Sequence, residues 1–157
     1  MLIHRSLIIP LLSLLTSCGE TTNMPSYPAE ILPQLLWSIA EPIPADMADF
    51  REALARYAGD IEAEQDLSEF DTAFPSNALD IRYSYAIQKS SGSWEEKYEV
   101  VQIRSDSQLT YGEIVLRLHR AAHHHLAEQD HHFYEGLELI TREYEHGVPA
   151  YELITGS

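Results

Sequence analysis

Histidine is the residue type in this sequence with the most chemical promise. Six of the eight histidines lie between Thr110 and Ile140. Neutral imidazole is a common ligand of zinc and other divalent ions, and it can also act as a general acid or base near neutral pH. This segment is therefore the first candidate for a metal site or a proton-transfer site, and its histidines are His119, His123, His124, His125, His131 and His132.

His119 and His123 are spaced one helical turn apart, so both could bind one metal ion from the same helix. A third ligand could come from His131, His132, Glu128 or Asp130, of which we select His131. A divalent ion such as zinc is the cofactor that this set would take. The surrounding HAAH sequence lacks the glutamate of the H-E-x-x-H metalloprotease motif, so the general base of those enzymes is missing. Three interpretations stay open: a physiological metal site, hydrogen-bonded structural histidines, and adventitious metal binding at the surface.

The rest of the sequence contains no motif that fixes a reaction. There is no G-x-S-x-G elbow, no P-loop and no G-x-G-x-x-G fingerprint. Asp130 beside His131 could hold an imidazole tautomer for general base work, but the same pair serves equally well in structure. The sequence therefore favours a protein that is not an enzyme.

The clearest predicted element is the helix that carries the first four of these histidines. Thr110 and Glu113 have the spacing of a capping box, which marks a helix start. Apolar residues then recur on one side at helical spacing, which predicts a core-facing helix. On this helix His124 should point to solvent, whereas His125 should lie beside the apolar side and stay neutral. His125 is therefore the expected source of acid lability between about pH 7 and pH 5.

The flanking segments predict an α+β fold. Two N-terminal helices are expected, one starting near Pro33 and one with apolar residues from Met47 to Tyr57. A hairpin from Leu79 to Ile103 precedes the histidine helix, and strands at residues 133–140 and 148–154, joined by a turn around His146-Gly147, follow it. The prediction is a largely antiparallel four-stranded sheet, formed by hairpin, helix and hairpin and covered by helices on one face. Strand alternation also places Ile87 on the buried face with Ile81.

The charge balance indicates what the protein could bind. Ten lysines and arginines against 25 aspartates and glutamates give a net charge of −15, which disfavours nucleic acid and favours a basic partner. An acidic run includes Asp60, Glu62, Glu64 and Asp66. It is either a solvated connector or a docking site for a basic protein, and it lacks the ligand spacing and glycine of a calcium loop.

The first eighteen residues have the pattern of a targeting segment. His4 and Arg5 precede an apolar run from Leu7 to Leu15, which is too short to span a bilayer permanently. The following tetrapeptide, Leu15-Thr16-Ser17-Cys18, resembles the lipobox of bacterial lipoproteins, and Cys18 is the only cysteine. The resemblance implies cleavage before Cys18, a diacylglyceryl thioether on its sulfur and acylation of its amino group. Because Gly19 is not the aspartate that favours inner-membrane retention in enteric bacteria, the resemblance also implies an outer-membrane location in the cell envelope.

Three regions are therefore expected: a signal peptide at residues 1–17, the lipidated cysteine with a polar tether at 18–28, and one α+β domain at 29–157. Cleavage removes Arg5 and no acidic residue, which leaves nine basic and 25 acidic residues, a net charge of −16. The expected function is a lipid-anchored, non-enzymatic binding or inhibitor module, similar in character to immunity proteins, that engages a basic partner. The alternative is a histidine-centred metal-binding protein or a metal-dependent envelope enzyme.

Overall fold

The computed structural model describes residues 26–140 and 148–157. Cys18, the signal peptide and the turn around His146-Gly147 lie outside the described residues. Within them, the chain forms two helices and six strands in the following order: β1 Glu30–Ile31, β2 Trp37–Ser38, α1 Met47–Asp60, β3 Ala78–Gln88, β4 Trp94–Arg104, α2 Tyr111–Leu126, β5 Phe133–Leu139 and β6 Ala150–Gly156.

The strands form one mixed sheet, so the predicted α+β class is confirmed. Its order is β1-β5-β6-β3-β4, and β2 also pairs with β5. The prediction of four largely antiparallel strands is wrong, because the sheet has six strands and β6 runs parallel to β3. The two hairpins do form, but α2 connects them so that β6 lies beside β3 in the same direction.

The helix that carries the histidines is confirmed, including its start. The Glu113 amide donates to the Thr110 hydroxyl at 3.3 Å, and the Thr110 amide donates to the Glu113 carboxylate at 2.8 Å. These two bonds satisfy backbone donors that a helix start leaves unpaired. The helix buries one side against the sheet, through Ile114, Val115, Leu118, Ala122 and Leu126.

The second predicted helix is also confirmed, as α1. The Asp46 carboxylate caps it by accepting hydrogen bonds from the amides of Ala48 and Asp49, both at 2.9 Å. Phe50 and Leu54, one helical turn apart, are fully buried. The two described helices pack against each other and lie on the same face of the sheet.

The predicted helix near Pro33 does not form. The segment instead makes two short strands, β1 and β2, on either side of a turn in which Leu32 has a φ of 49°. Its apolar residues still enter the core, as their pattern predicted, and Ile31 and Trp37 are among the most buried side chains. The turn at Pro33 packs closely against Gly136 of β5, where a Cβ would lie 3.2 Å from the Pro33 Cα. Gly136 also has a φ of +130°, which residues with a side chain rarely adopt.

The buried face of β3 ends earlier than its sequence pattern predicts. Leu79, Ile81 and Tyr83 are buried, but Ile87 is 37% exposed. Tyr85 stacks on His125 in the last turn of α2, and Ile87 lies two residues further along β3, beyond that contact. Ile87 does share a face with Ile81, because β3 pairs without a register shift. The prediction that Ile87 is buried is wrong, so a charged residue there would not be trapped in the core.

In the part of the chain that the structure describes, no helix is long and apolar enough to cross a bilayer.

Candidate functional site

His119 is held in the interior by a tryptophan. The Trp37 indole N–H donates to His119 Nδ1 at 2.8 Å, and the histidine is 1% exposed. Because Nδ1 accepts, the imidazole is neutral with its proton on Nε2. Burial lowers the pKa of His119 to about 4, with smaller lowering effects from the charges of His123 and Arg120 and an opposing effect of the Glu41 backbone.

His123 lies one turn further along and ties the same N-terminal segment to α2. Its Nδ1–H donates to the Ile39 carbonyl at 2.8 Å, and its ring stacks against that of His119 with centroids 5.4 Å apart. Together the two histidines fix residues 37–39 on the helix. These contacts have the form of hydrogen-bonded structural histidines, one of the three interpretations left open by the sequence.

The third candidate metal ligand lies elsewhere. His131 is exposed in the loop between α2 and β5. Among the described residues, no group of three or more His, Cys, Asp and Glu side chains is placed to hold a metal ion, so His119, His123 and His131 do not converge. A zinc site on these residues stays a prediction without geometric support from the described part of the chain.

His125 has aromatic neighbours rather than the aliphatic ones that its helical position predicted. Its ring stacks on Tyr85 at 3.9 Å, and Nδ1 shares a 2.7 Å hydrogen bond with the Tyr83 hydroxyl. Partial burial lowers the pKa of His125, the neighbouring His124 lowers it further, and Glu99 opposes both. The expectation that His125 is the buried histidine is wrong, since that position belongs to His119, whereas His124 is exposed as predicted.

A cavity opens in the sheet where β3 and β6 separate. The parallel pairing of these strands ends at Arg82 and Glu152, and β6 then continues along β5 alone. Beyond this point the Gln129 side chain binds the exposed edge of β3. It accepts a hydrogen bond from the Ala86 amide at 3.0 Å and donates one to the Ala86 carbonyl at 3.2 Å. The resulting notch has a volume of about 330 Å³ and is lined by Ser84, Tyr85, Ala86, Trp94, Glu95, Glu96, Leu126, Gln129, His131 and Thr155.

The notch combines aromatic rings with carboxylates. Trp94 and Glu96 line it from the side of the sheet opposite the helices, and Tyr85 and Glu95 line it from the helix-covered side. Glu95 already pairs with Lys97 at 3.1 Å and with Lys89 at 3.6 Å. This composition is that of a binding site for a cationic group.

The sheet face opposite the helices is apolar along β4. Trp94, Tyr98 and Val100 alternate along the strand and are 66%, 56% and 53% exposed. Neither α1 nor α2 covers them, because both helices pack on the other face. We call this side of the sheet the outer face. The sequence could have indicated this face, because Trp94, Tyr98 and Val100 alternate with the charged residues Glu95, Lys97 and Glu99 along one strand. The predicted hairpin does not distinguish an exposed apolar face from a buried one.

A row of charged residues crosses the same outer face. Neighbouring strands place Glu30 opposite Glu138, Glu138 opposite Glu152, and Glu152 opposite Arg82, which in turn lies opposite Val100. Arg82 donates to the Glu152 carboxylate at 3.0 Å and lies 6.0 Å from the centre of the Tyr98 ring. Three carboxylates therefore stand side by side with one arginine, and like charges directly opposite each other destabilise a sheet.

The acidic run predicted as a docking site lies on a different side. Asp60 ends α1, so the run starts on the helix-covered side of the sheet, and Glu62, Glu64 and Asp66 follow in an exposed connector. The Asp66 carboxylate accepts from the Ser68 amide at 2.8 Å, and this bond lowers the pKa of Asp66. These contacts are those of a solvated connector, and a docking role for the four residues stays a prediction.

The fold and these surfaces define an α+β protein with an open-faced mixed sheet. Comparison with known proteins adds no relative: no family model, no curated protein and no solved structure matches the chain.

Proposed function

We propose that this protein is a lipid-anchored, non-enzymatic binding or inhibitor module of the bacterial cell envelope, and that it engages a basic partner protein through the outer face of its sheet. The observation that carries the proposal is the exposure of Trp94, Tyr98 and Val100 on a sheet face that neither helix covers.

The apolar part of this surface has the composition of an interface centre. Tryptophan and tyrosine are the residues most enriched at binding hot spots, because they bury a large area with few rotatable bonds. Contiguous exposed apolar groups on a soluble domain commonly mark an interaction site. Val100 lies opposite Arg82 of the charged row, and the Arg82 guanidinium group lies 6.0 Å from the centre of the Tyr98 ring, so the apolar and charged parts form one surface.

The charge of the surface indicates the sign of the partner. Glu30, Glu138 and Glu152 repel one another across three adjacent strands, and Arg82 offsets only part of that repulsion. A basic partner would relieve it. The same charge, extended by the net −15 of the chain, would attract such a partner over a distance of roughly one Debye length and speed its association.

The lipobox resemblance supplies the location. A lipidated Cys18 would hold the domain at the envelope surface, and residues 19–28 would act as a short polar tether before β1. Two or more acyl chains anchor a protein stably. A membrane-held acidic domain is well placed to capture a cationic protein that reaches or crosses the envelope, which is the task of an immunity-like inhibitor.

The proposal can be tested by photo-crosslinking in the native bacterium. A photoreactive phenylalanine analogue replaces Tyr98 or Val100 on the outer face, and Glu52 or Arg56 on the exposed side of α1 as matched controls. We expect one discrete adduct, with a basic protein, from positions 98 and 100 and none from positions 52 and 56. Absence of an adduct from the outer face, or equal adducts from all four positions, would overturn the proposal.

A further inference from the structure

The notch between β3 and β6 lies beside the outer face, since Trp94 belongs to both. We propose that the notch receives a single arginine side chain of the basic partner. This inference rests on the proposed function, because it assigns the anchor point of the same interaction.

The tryptophan of the notch suits a planar cation. Trp94 has the ring type that attracts cations most strongly, and two thirds of its surface is open to a ligand. Glu96 lies two residues further along β4, so its side chain is on the same face as the Trp94 ring, whereas Tyr85 points to the other face and stacks on His125. A guanidinium group stacks on a ring such as that of Trp94 better than an ammonium group does, because it is planar and weakly hydrated.

The carboxylates of the notch differ in availability. Glu95 is shared between Lys89 and Lys97, so its charge is already balanced. Glu96 lies near the Tyr98 hydroxyl and raises the pKa of Tyr98, and in the described part of the chain it has no lysine or arginine partner. Glu96 is therefore the carboxylate that an incoming guanidinium group would pair with.

The size and rigidity of the notch fit one side chain. Pockets that enclose drug-sized ligands begin at about 300 Å³, so about 330 Å³ accommodates a long side chain and excludes a helix or strand. The two hydrogen bonds between Gln129 and Ala86 hold the base of the notch in one conformation. A preformed site loses little free energy to ordering when it binds.

Tryptophan fluorescence gives a direct readout, because Trp94 is exposed and the other tryptophan, Trp37, is buried. The probe is the peptide acetyl-Gly-Arg-Gly-amide, and its matched control has citrulline, which has the shape of arginine without its charge. The full protein, purified in detergent, is titrated with each peptide. We expect a saturable change in emission with the arginine peptide, which is lost in Trp94→Phe, and binding of the citrulline peptide weaker by about tenfold or more.

A pair of charge-matched variants locates the binding. Glu96→Gln keeps an acceptor for Tyr98 but removes the charge, so we expect it to weaken arginine-peptide binding by about tenfold, as a charge-assisted bond implies. Glu52→Gln on α1 makes the same change of charge far from the notch and should leave binding within about twofold. Equal effects of the two variants, or no saturable signal, would overturn the arginine site.

The two proposals fail in different ways. If crosslinks from positions 98 and 100 persist while the arginine peptide does not bind, the outer face is an interface and the notch is not its anchor. If the peptide binds at the notch while no crosslink forms, the notch is a cation site and the proposed binding function is wrong. Loss of the crosslink in Glu96→Gln alone, with Glu52→Gln unaffected, is the result expected when both are correct.

Discussion

The indole of Trp37 and the imidazole of His119 are joined by a hydrogen bond of 2.8 Å in the core, across 82 residues of sequence. The bond fixes β2 against α2, and both side chains are almost completely buried. A buried acceptor that loses its donor incurs a desolvation penalty of about 1–3 kcal/mol. The pair is therefore a point at which a small chemical change should have a large effect on stability.

Trp37→Phe tests this pair. The variant removes the indole donor and some packed volume, so we expect the free energy of unfolding to fall by about 2–4 kcal/mol. Trp94→Phe is the matched control, because the same substitution at an exposed position should change it by less than about 0.5 kcal/mol. Urea unfolding followed by circular dichroism measures both, and equal losses would contradict the buried position of Trp37.

The second prediction concerns acid stability. The folded pKa of His119 is about 4, below the unfolded value of 6.5, so between these values the unfolded chain binds more protons. The contribution of His119 to the free energy of unfolding is fully present above about pH 6.5. It decreases as the pH falls and is lost near pH 4. Each pKa unit corresponds to about 1.4 kcal/mol, so the loss is on the order of 3 kcal/mol.

His119→Gln should flatten this decline, since an amide can still accept from Trp37 but does not titrate. His124→Gln, at an exposed position of the same helix, should leave the decline unchanged, and His125→Gln should have an intermediate effect because the His125 pKa is lowered in a partly buried site. The measurement is the free energy of unfolding at several pH values without added metal. If His125→Gln flattens the decline more than His119→Gln does, His125 rather than His119 is the main source of the acid lability.

The elements that the sequence predicts correctly are those with strong local signals. The capping box at Thr110 and Glu113 determines where α2 begins, and the helix starts where that pattern predicts. The strands of the first hairpin follow from alternation around a turn of serines and glycine. Such signals depend on neighbouring residues alone, so they can be read without the rest of the fold.

The features that the sequence does not reveal depend on distant contacts. Helical periodicity puts His119 on the flank of α2, and only the approach of Trp37 from β2 makes it the most buried histidine of the helix. The parallel pairing of β6 with β3, and its end at Arg82 and Glu152 where the notch opens, likewise depend on how α2 connects the two hairpins. The predicted hairpin contains Trp94 and Tyr98, but their exposure follows from the helices covering the opposite face of the sheet.

A third prediction concerns the base of the notch. Gln129 supplies Ala86 with both hydrogen bonds that a neighbouring strand would otherwise make. Gln129→Ala leaves the Ala86 amide and carbonyl unpaired, so we expect exchange of the Ala86 amide hydrogen to accelerate by about tenfold, together with a stability loss of about 1–2 kcal/mol. Gln88→Ala, at an exposed position of the same strand, is the control. Unchanged exchange at Ala86 would show that the side chain of Gln129 does not protect the strand.

The last prediction concerns the anchor. If Leu15 to Cys18 is a lipobox, Cys18→Ser removes the sulfur that carries the diacylglyceryl group, and the protein should lose its lipid and its partition into detergent. Ser17→Ala keeps a small residue before the cysteine and should be lipidated normally, and Gly19→Asp should move the lipidated protein to the inner membrane in an enteric host. All three changes lie before the first described residue, Ser26, and the described contacts of the core are made by later residues. The melting temperature of each purified variant should therefore equal that of the wild type. Mass spectrometry of the N-terminal peptide together with membrane fractionation reports the outcome, and a Cys18→Ser protein that still carries acyl chains would disprove the lipoprotein assignment.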